Sequence, residues 1–434
     1  MIAAMNEYIC PSGELAETIP HLPQAEVKSY CARYFRHREL YLEKAKQANG
    51  ACYLLDRPAL KERAQQFQTT FSSVLPHVAS YYAVKSNNYP EIARTMLYMG
   101  FGLDVSSGSE LQMALELNAS DIVFSGPGKT EAELALAVTN TSRTTILIDS
   151  FGELERLEKI AAEMGQKIRA GVRLTTMNNG LWHKFGILPE TLPAFWEKAS
   201  ACRHIQLQGL QFHTSWNLSP TNQCTFIKAL KMILCRMSPR FLEHLQFIDV
   251  GGGYWPETGE WLQEGGTKNG SIRKAWGEEV NAAHRYYRLP AAGLDVFAED
   301  LGQLITAELL PLVKHCRICF EPGRWLCHDA MHLLLQVVDK KAEDLVITDA
   351  GTNAIGWERF ESDYFPVLNL SRPALVEKPC HILGSLCTPH DVWGYAYWGE
   401  GIESGDILMI PTQGAYTYSL RQHFIKPLPP VLAI

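Results

Sequence analysis

Short apolar runs alternate along much of the chain with stretches that carry apolar residues at helical spacing. Each apolar run ends in a polar or glycine-rich turn before the next helical stretch begins, and this rhythm is typical of strand–helix units. Eight such units over roughly 250 residues are the expected dimensions of an α/β fold, the (β/α)8 barrel, with a doubly wound open sheet as the alternative. The predicted strands are 80–85, 101–106, 121–125, 144–149, 167–174, 206–213, 247–250 and 317–321, and the predicted helices include 90–98, 109–117, 130–138 and 152–164.

The pattern changes after residue 324, where turns separate strand-like runs and few helices are predicted. We therefore predict an N-terminal extension over 1–50 that packs with the β domain, a barrel over 51–323 and a C-terminal β domain over 324–434. An amphipathic helix is predicted over 30–47, and a long loop that affects function or forms a contact surface over 362–379. The predicted strands of the β domain are 333–338, 344–348, 381–383, 405–410 and 416–419.

Composition narrows the class of protein. A chain of 434 residues with 46% hydrophobic and 20% charged residues is typical of a soluble protein of about two to three domains. The net charge of −7 and the lack of a long basic run argue against nucleic acid and anionic membrane as partners. No apolar run is long enough to span a bilayer, and residues 1–18 lack the pattern of a signal peptide. We therefore expect a cytoplasmic protein.

The eleven cysteines give no sign of a metal site. Only Cys316 and Cys319 form a CxxC pair, and they lie in a predicted strand, where side chains three positions apart point to opposite faces. No second pair completes a set of ligands. We expect reduced thiols and no metal.

Polar residues that can take part in catalysis or binding lie at the ends of the predicted barrel strands. The carboxyl ends of barrel strands converge on one mouth, which is where barrel active sites lie. A lysine at the end of a buried strand is desolvated, which lowers its pKa and makes the amine nucleophilic, as a covalent bond to an aldehyde cofactor requires. The residues at these strand ends are Lys85, Asp104, Ser125-Gly126, Arg173, His213, Gly251-Gly252-Gly253 and Glu321.

From about residue 50 to the C-terminus, the chain resembles the fold-type III pyridoxal-phosphate decarboxylases, which include diaminopimelate, ornithine, arginine and carboxynorspermidine decarboxylases. The resemblance implies an alanine-racemase-like barrel, a β-sandwich-like second domain, and a homodimer with shared active sites that acts on a small amino-acid substrate. It rests on motifs in the family's order: Tyr82-Ala83-Val84-Lys85-Ser86-Asn87, His213, Asp249-Val250-Gly251-Gly252-Gly253, Glu321-Pro322-Gly323-Arg324, Asp349-Ala350-Gly351, Gly384-Ser385-Leu386-Cys387 and Gly414-Ala415-Tyr416-Thr417.

The resemblance also implies roles for single residues. Lys85 bonds to the aldehyde of pyridoxal 5′-phosphate, and His213 stacks on the cofactor ring. Glu321 pairs with the pyridine nitrogen and keeps the ring protonated, whereas alanine racemase typically has an arginine in this role. The phosphate is bound by Gly252, Gly253, Gly323, Arg324 and Tyr416, with Ser215 replacing the serine of the family's usual Gly-Ser after the histidine.

Other implied roles concern the substrate and the dimer. Cys387 resembles the cysteine that reaches into the partner subunit's site and protonates the substrate at Cα after CO2 leaves. Asp104 matches a family position near the site, and we predict that it binds substrate, as does Thr388. Lys184 and Asp391 resemble an ion pair that joins subunits.

One departure from the family pattern concerns the substrate. Members that produce diamines carry an acidic residue directly after the cysteine, where it binds the distal ammonium of the substrate, but this chain has Thr388. Loss of such a charge-assisted bond costs about 1.5–3 kcal/mol. The run Cys387-Thr388-Pro389-His390-Asp391, together with the run over 124–130, is closer to the secondary-metabolism branch. That branch includes a siderophore-pathway decarboxylase of citryl-diaminopropionate and an antibiotic-pathway decarboxylase of carrier-bound glutamate.

The sequence therefore predicts a decarboxylase of an amino acid or amino-acid conjugate in a siderophore or other secondary-metabolite pathway. The alternatives are a decarboxylase of a free diamino acid, an amino-acid racemase, and a regulator that kept the fold and lost the chemistry. The last alternative predicts that Lys85, Glu321 or Cys387 is missing, and all three are present.

Overall fold

The computed structural model describes residues 19–177, 180–278, 280, 285–356 and 359–434. They form two compact units, a barrel unit with Leu60–Pro256 and Ala292–Leu326, and a sheet unit with the described parts of Met1–Ala59, Glu257–Ala291 and Cys327–Ile434. Within the described ranges, none of the helices has the length and apolar character needed to cross a bilayer.

The secondary structure follows the predicted alternation closely. The strands are β1 (Cys52–Leu55), β2 (Val78–Ala83), β3 (Gly102–Val105), β4 (Ile122–Phe124), β5 (Thr144–Ile148), β6 (Ile168–Leu174), β7 (Ile205–Phe212), β8 (Phe247–Asp249), β9 (Glu260–Gln263), β10 (Tyr286–Leu289), β11 (Arg317–Phe320), β12 (Met331–Ala342), β13 (Leu345–Thr348), β14 (Leu368–Asn369), β15 (Glu377–Leu383), β16 (Val392–Trp398), β17 (Ile407–Ile410) and β18 (Val431–Ala433). The helices are α1 (Gln24–Phe35), α2 (Arg38–Ala48), α3 (Arg57–Ser72), α4 (Pro90–Tyr98), α5 (Gly108–Glu116), α6 (Glu131–Thr139), α7 (Phe151–Glu163), α8 (Leu192–Ala201), α9 (Thr221–Leu234), α10 (Pro239–His244), α11 (Lys268–Ala275), α12 (Leu294–Leu304), α13 (Arg324–Cys327) and α14 (Arg359–Ser362).

The barrel unit is a closed parallel barrel in the order β11-β2-β3-β4-β5-β6-β7-β8. Each of the eight predicted barrel strands is present, so the predicted (β/α)8 barrel is confirmed. The turns after β3 and β5 end at serines, and the turn after β4 ends at a threonine. Ser107, Thr130 and Ser150 each accept a hydrogen bond from a backbone N–H in the first turn of α5, α6 and α7. These N-caps fix where each helix starts, and so where each loop at the mouth ends.

Two aromatic rings fill the barrel interior. The residues that face them are glycines, which leave the space that the rings occupy. A Cβ on Gly102 would lie 2.4 Å from the Tyr81 ring, and a Cβ on Gly171 or Gly209 would lie 2.8 or 2.1 Å from the Phe247 ring. These rings belong to an apolar cluster with Val123, Leu147 and Cys319. The barrel below the mouth is therefore solid, so polar chemistry is confined to the strand ends above it.

The sheet unit contains an eight-stranded sheet in the order β13-β15-β16-β14-β17-β12-β1-β18. β1 pairs antiparallel with β12 and parallel with β18, so this strand, which precedes the barrel strands in sequence, belongs to the sheet unit. Helices α1 and α2 pack on the sheet through a cluster that includes Val27, Tyr34 and Trp398. The assignment of residues 1–50 to an N-terminal extension that packs with the β domain stays a prediction.

The helix predicted over 30–47 is two helices, because no side chain between Tyr34 and Tyr41 is buried to hold one continuous helix against the sheet. The strand predicted over 416–419 was wrong. Tyr416 has φ +56, in the left-handed region that no strand adopts, and Tyr418–Leu420 forms a 3-10 turn. Strands β9, β10, β16 and β18 have no counterpart among the predicted strands, and β14 lies within the predicted loop.

The units are not contiguous in sequence, since β1 and Glu257–Ala291 lie in the sheet unit. The predicted domain bounds 1–50, 51–323 and 324–434 are single segments. The hydrophobic pattern along the sequence does not reveal that the chain leaves one unit and returns to it. Those bounds stay a prediction.

We expect Gly209→Ala to lower the free energy of unfolding by about 1–3 kcal/mol, because the new methyl group forces the Phe247 ring out of place. The measurement is denaturant unfolding followed by circular dichroism. The matched control is Gly152→Ala near the start of α7, where no heavy atom lies closer than 3.7 Å to the new Cβ. It should leave stability unchanged or raise it slightly. Equal effects of the two substitutions would contradict the packing argument.

Candidate active site

Lys85 lies at the mouth of the barrel, in the short 3-10 turn Val84–Ser86 that follows β2. Its Nζ lies 2.9 Å from Oδ2 of Asp104, which is fully buried at the end of β3. Ser125 Oγ donates to the other oxygen of Asp104. Burial, and then repulsion from Glu321, raise the pKa of Asp104, while Lys85 lowers it. The pair holds the amine of Lys85 in one place at the mouth.

A second carboxylate lies close to this pair. Glu110, in the first turn of α5, accepts a hydrogen bond from the backbone N–H of Ser106 at 2.7 Å. Burial raises its pKa, and the nearby charge of Asp104 raises it further. Glu110 therefore fixes the turn after β3 as well as adding negative potential near Lys85.

His213 follows β7, and its ring is held as one neutral tautomer. The Gly252 N–H lies 3.2 Å from Nδ1 and can only donate, so Nδ1 is the acceptor. The ring proton is therefore on Nε2, which lies 3.2 Å from Ser215 Oγ. Burial, followed by the charges of Lys85 and Arg173, lowers the pKa of His213 well below its usual value. An uncharged ring of this kind can stack flat on a heteroaromatic ligand.

Glu321 follows β11 and is almost fully buried. Nε2 of Gln211, on β7, lies 3.3 and 3.4 Å from its two carboxylate oxygens, and Nδ1 of His213 lies 3.5 Å away. Burial, and then the charge of Glu321, raise the pKa of Asp249 well above its usual value. Oδ1 of Asp249 accepts from the Gly251 N–H at 2.8 Å. Glu321 is thus held in position by the neutral amide of Gln211, and it lacks a cation among the described residues of the barrel unit.

Gly252 and Gly253 pass so close to other backbone that no side chain fits there. A Cβ on Gly252 would lie 2.1 Å from the Glu321 carbonyl oxygen, and a Cβ on Gly253 would lie 2.4 Å from that of Thr214. Asn217 fixes this loop, since its Nδ2 donates to Thr214 Oγ1 at 2.9 Å and to the Gly252 carbonyl at 3.1 Å. The loop is a cradle of backbone groups of the kind that binds oxyanions.

Gly323 and Arg324 complete this side of the mouth. A Cβ on Gly323 would lie 2.9 Å from Cβ of Ser86, so the turn after β11 packs directly on the Lys85 turn. The Arg324 guanidinium lies over the Trp255 ring, 4.1 Å from its centroid.

The barrel unit therefore brings together the predicted residues Lys85, Asp104, His213, Ser215, Gly252, Gly253, Glu321, Gly323 and Arg324. The sequence analysis missed Gln211 and Asn217 as site residues. One feature of the sequence could have indicated Gln211. It lies two residues before His213, so both side chains are on the same face of the strand. Asn217 lies two residues after Ser215, but its role depends on contacts with Gly252 and Gly253, which are distant in sequence.

These residues fit pyridoxal 5′-phosphate. The mouth offers an amine, a buried carboxylate for a protonated ring nitrogen, and a glycine cradle with an arginine for a phosphate. Among the described residues, Gln211 Oε1, Asn217 Oδ1 and Asp249 Oδ2 are buried without a hydrogen-bond partner. No group of three or more His, Cys, Asp or Glu side chains in the same ranges is placed to hold a metal ion.

The predicted residues Cys387, Thr388 and Tyr416 lie in the sheet unit. Cys387 is exposed, and the Thr388 side chain, beside it, is half-buried. Tyr416 is held in its left-handed conformation next to Gly414, whose N–H donates to the His328 carbonyl at 3.0 Å. A strained residue of this kind is typical of a functional turn.

The predicted ion pair between Lys184 and Asp391 is not supported. Asp391 is buried, and its two oxygens accept from the backbone N–H groups of Thr352 and Leu386, both at 2.7 Å. Its carboxylate therefore orders the loop that carries Cys387 instead of reaching another subunit.

The run over 124–130 also has a structural role. Lys129 is buried and donates to the carbonyls of Gly126 and Leu147 and to Glu153, at 2.7 to 2.8 Å. Its three donors are satisfied within the fold, so this run carries little information about the substrate.

We expect the His213 ring to stay neutral, with the proton on Nε2, when the pH falls from about 7 to 5. Nitrogen-15 NMR of histidine-labelled protein measures this directly, with His213→Gln to assign the signal. Since unfolded histidine takes up a proton near pH 6.5, the lowered pKa makes the free energy of unfolding fall below that pH. His213→Gln should remove part of this fall. Titration of the ring near pH 6.5 would contradict the assignment.

Comparison with known proteins agrees with this geometry. A family model described as pyridoxal-dependent decarboxylase, pyridoxal binding domain, matches residues 58–328. The diaminopimelate decarboxylase of Neisseria meningitidis serogroup B is 25% identical over 389 residues, covering 86% of this chain and 84% of the relative. The 2-[(L-alanin-3-ylcarbamoyl)methyl]-2-hydroxybutanedioate decarboxylase of Staphylococcus aureus is 24% identical over 404 residues, covering 87% and 92%.

Among solved structures, the diaminopimelate decarboxylase of Helicobacter pylori complexed with L-lysine has a TM-score of 0.70 at 23% identity, covering 91% of this chain and 94% of that one. This likeness shows the shared fold. Because the family match spans more than half of the sequence, the chain belongs to the pyridoxal-dependent decarboxylases, carboxy-lyases that use pyridoxal 5′-phosphate.

Proposed function

We propose that this decarboxylase removes the α-carboxylate from an amino acid whose far end is acylated or conjugated, in a siderophore or other secondary-metabolite pathway. The observation that carries the proposal is Thr388, directly after Cys387, where diamine-forming members of the family have an acidic residue. A threonine hydroxyl has no charge to pair with a distal ammonium, but it can hydrogen-bond a neutral amide or a carbonyl.

The Staphylococcus aureus relative supports this substrate class. Its name describes an alanine unit joined at C3, through a carbamoyl group, to a hydroxylated dicarboxylate, so its far end is acidic and not a free amine. The Neisseria meningitidis relative acts on diaminopimelate at nearly the same identity. Sequence identity therefore does not distinguish a free diamino acid from a conjugated amino acid as the substrate, and the proposal depends on Thr388.

The barrel residues have separate tasks in this proposal. Pyridoxal 5′-phosphate, when bound, supplies the electron sink for the pair released with CO2. The amine of Lys85 would hold the cofactor, and Asp104 accepts a hydrogen bond from that amine at 2.9 Å. Glu321 would pair with the ring nitrogen and keep it protonated, while the Gln211 amide holds that carboxylate.

The phosphate is assigned to the glycine cradle and Arg324, with Ser215 as a hydroxyl donor. The amides of Gly252 and Gly253 are close to the surrounding backbone because they lack side chains. The Ser215 hydroxyl can donate to a phosphate oxygen while it accepts from His213. Tyr416 remains a predicted further donor.

We further propose a homodimer with shared active sites, in which Cys387 of one subunit delivers a proton to Cα in the site of the other. The thiol of Cys387 is exposed, as a proton donor to a second chain has to be. The buried Asp391 carboxylate orders the backbone on both sides of it. Thr388 would then contact the far end of the same substrate.

Subunit mixing tests the shared site. We expect Lys85→Ala to abolish the long-wavelength absorbance of the cofactor-loaded protein, and Cys387→Ala to keep this absorbance while losing most CO2 release. Mixing the two variants should restore about a quarter of wild-type activity, because half of the dimers then hold one intact site. Unmixed samples of each variant are the controls. A mixture that stays inactive would exclude sharing, and absorbance that survives Lys85→Ala would exclude the lysine assignment.

Substrate choice tests the role of Thr388. A CO2-release screen should give a higher kcat/KM for citryl-linked or carrier-linked amino acids than for free lysine, ornithine or diaminopimelate. Thr388→Asp should raise kcat/KM for the free diamino acids by about tenfold or more, because it supplies the missing carboxylate. The matched control, Thr388→Asn, has nearly the same shape and no charge, and it should give no such gain. Strong turnover of free diamino acids by the wild type would refute the proposal.

A further inference from the structure

Trp255 lies two residues after Gly253 and is not explained by packing alone. Its side chain is 6% exposed, and among the described residues its indole N–H has no hydrogen-bond acceptor. An indole nitrogen can only donate, and a buried donor without a partner is costly. Next to the glycine cradle at the mouth, a ligand that binds there can supply the missing acceptor.

The backbone sets the direction of the Trp255 side chain. Tyr254 pairs with Asn217 in an isolated bridge, and its ring packs outward against Phe67 of α3 and Phe297 of α12. Successive side chains on extended backbone point to opposite sides, so Trp255 points away from the helix layer. The backbone N–H of Trp255 donates to the Asn217 carbonyl at 3.3 Å. This bond connects Trp255 to the residue that fixes the glycine cradle.

Trp255 also determines the position of Arg324. The guanidinium carbon lies 4.1 Å from the centroid of the indole ring, within the range of a cation–π contact. A cation on the ring face and an N–H at the ring edge together suit an oxyanion. A second cation or an apolar group at this place would leave both of them without a partner.

We propose that Trp255 is a phosphate-binding residue: its indole N–H donates to a phosphate oxygen of the cofactor, and its ring holds Arg324 toward the same phosphate. This inference rests on the proposed location of the phosphate at Gly252, Gly253 and Arg324. It adds a further donor where the family's usual Gly-Ser is absent, beside Ser215 Oγ, which accepts from the His213 ring.

The test compares pyridoxal 5′-phosphate with pyridoxal, which lacks the phosphate, by absorbance titration of the apoenzyme. Trp255→Phe should weaken binding of the phosphorylated cofactor by about tenfold or more, since it removes a bond to a charged group. Binding of pyridoxal should change by less than about twofold, because the ring contacts are untouched. Trp255→His, which keeps an N–H donor on a smaller ring, should recover part of the loss. Equal weakening for the two ligands would mean that Trp255 contacts another part of the cofactor, or acts only through packing.

Trp325→Phe is the matched control. Trp325 is also buried, its indole N–H also lacks an acceptor among the described residues, and its ring carries the Arg63 guanidinium at 4.6 Å. It packs on Phe67 of α3, on the helix side of the barrel, so its substitution should leave the affinity ratio of the two ligands unchanged. If Trp325→Phe lowers the ratio as much as Trp255→Phe does, the effect is not local and the inference is wrong.

Arg324→Gln separates this inference from the site on which it rests. If Arg324→Gln lowers the affinity ratio and Trp255→Phe does not, only the role of Trp255 is wrong. If neither lowers it, the proposed phosphate location is wrong as well.

A wild-type measurement covers the case in which the Trp255 variants do not fold. In apoenzyme labelled with nitrogen-15 at its ten tryptophan indoles, inorganic phosphate should shift an indole N–H resonance downfield. If no indole resonance moves at saturating phosphate, the inference fails.

Discussion

The site depends on the burial of several carboxyl groups around one amine. Asp104, Glu110, Asp249 and Glu321 all lie at or below the mouth of the barrel, and burial together with mutual repulsion raises the pKa of the first three. Lys85 is the cation paired with Asp104. Such a cluster is costly in low dielectric unless protons or cations neutralise it. A ligand that brings a protonated ring nitrogen and an amine would relieve part of this cost.

Glycines allow close packing at two different places in the barrel. Below the mouth, Gly171 and Gly209 leave space for the Phe247 ring, which closes the interior to water. At the mouth, Gly252 and Gly253 let their loop approach the backbone of Glu321 and Thr214 without a clash. Absent side chains thus set both the depth of the site and its capacity to bind an anion.

Much of the barrel could be predicted from the sequence because buried parallel strands appear as apolar runs that end in polar residues. The residues of the mouth followed from the same rule, since the fold gathers the strand ends. Gln211 was missed because an amide within a strand has no distinctive pattern, and its partner Glu321 is far along the chain. The error at 416–419 arose because Tyr and Thr favour strands, whereas the left-handed φ of Tyr416 comes from tertiary packing.

The burial of Asp391 has an evolutionary consequence. Its carboxylate holds the backbone at Thr352 and Leu386, so this anchor of the loop does not involve the side chain at position 388. Position 388 can therefore change without disturbing the anchor beneath it. Paralogues of this enzyme could diverge in the molecules they accept through one codon, while the inherited scaffold and its chemistry stay constant.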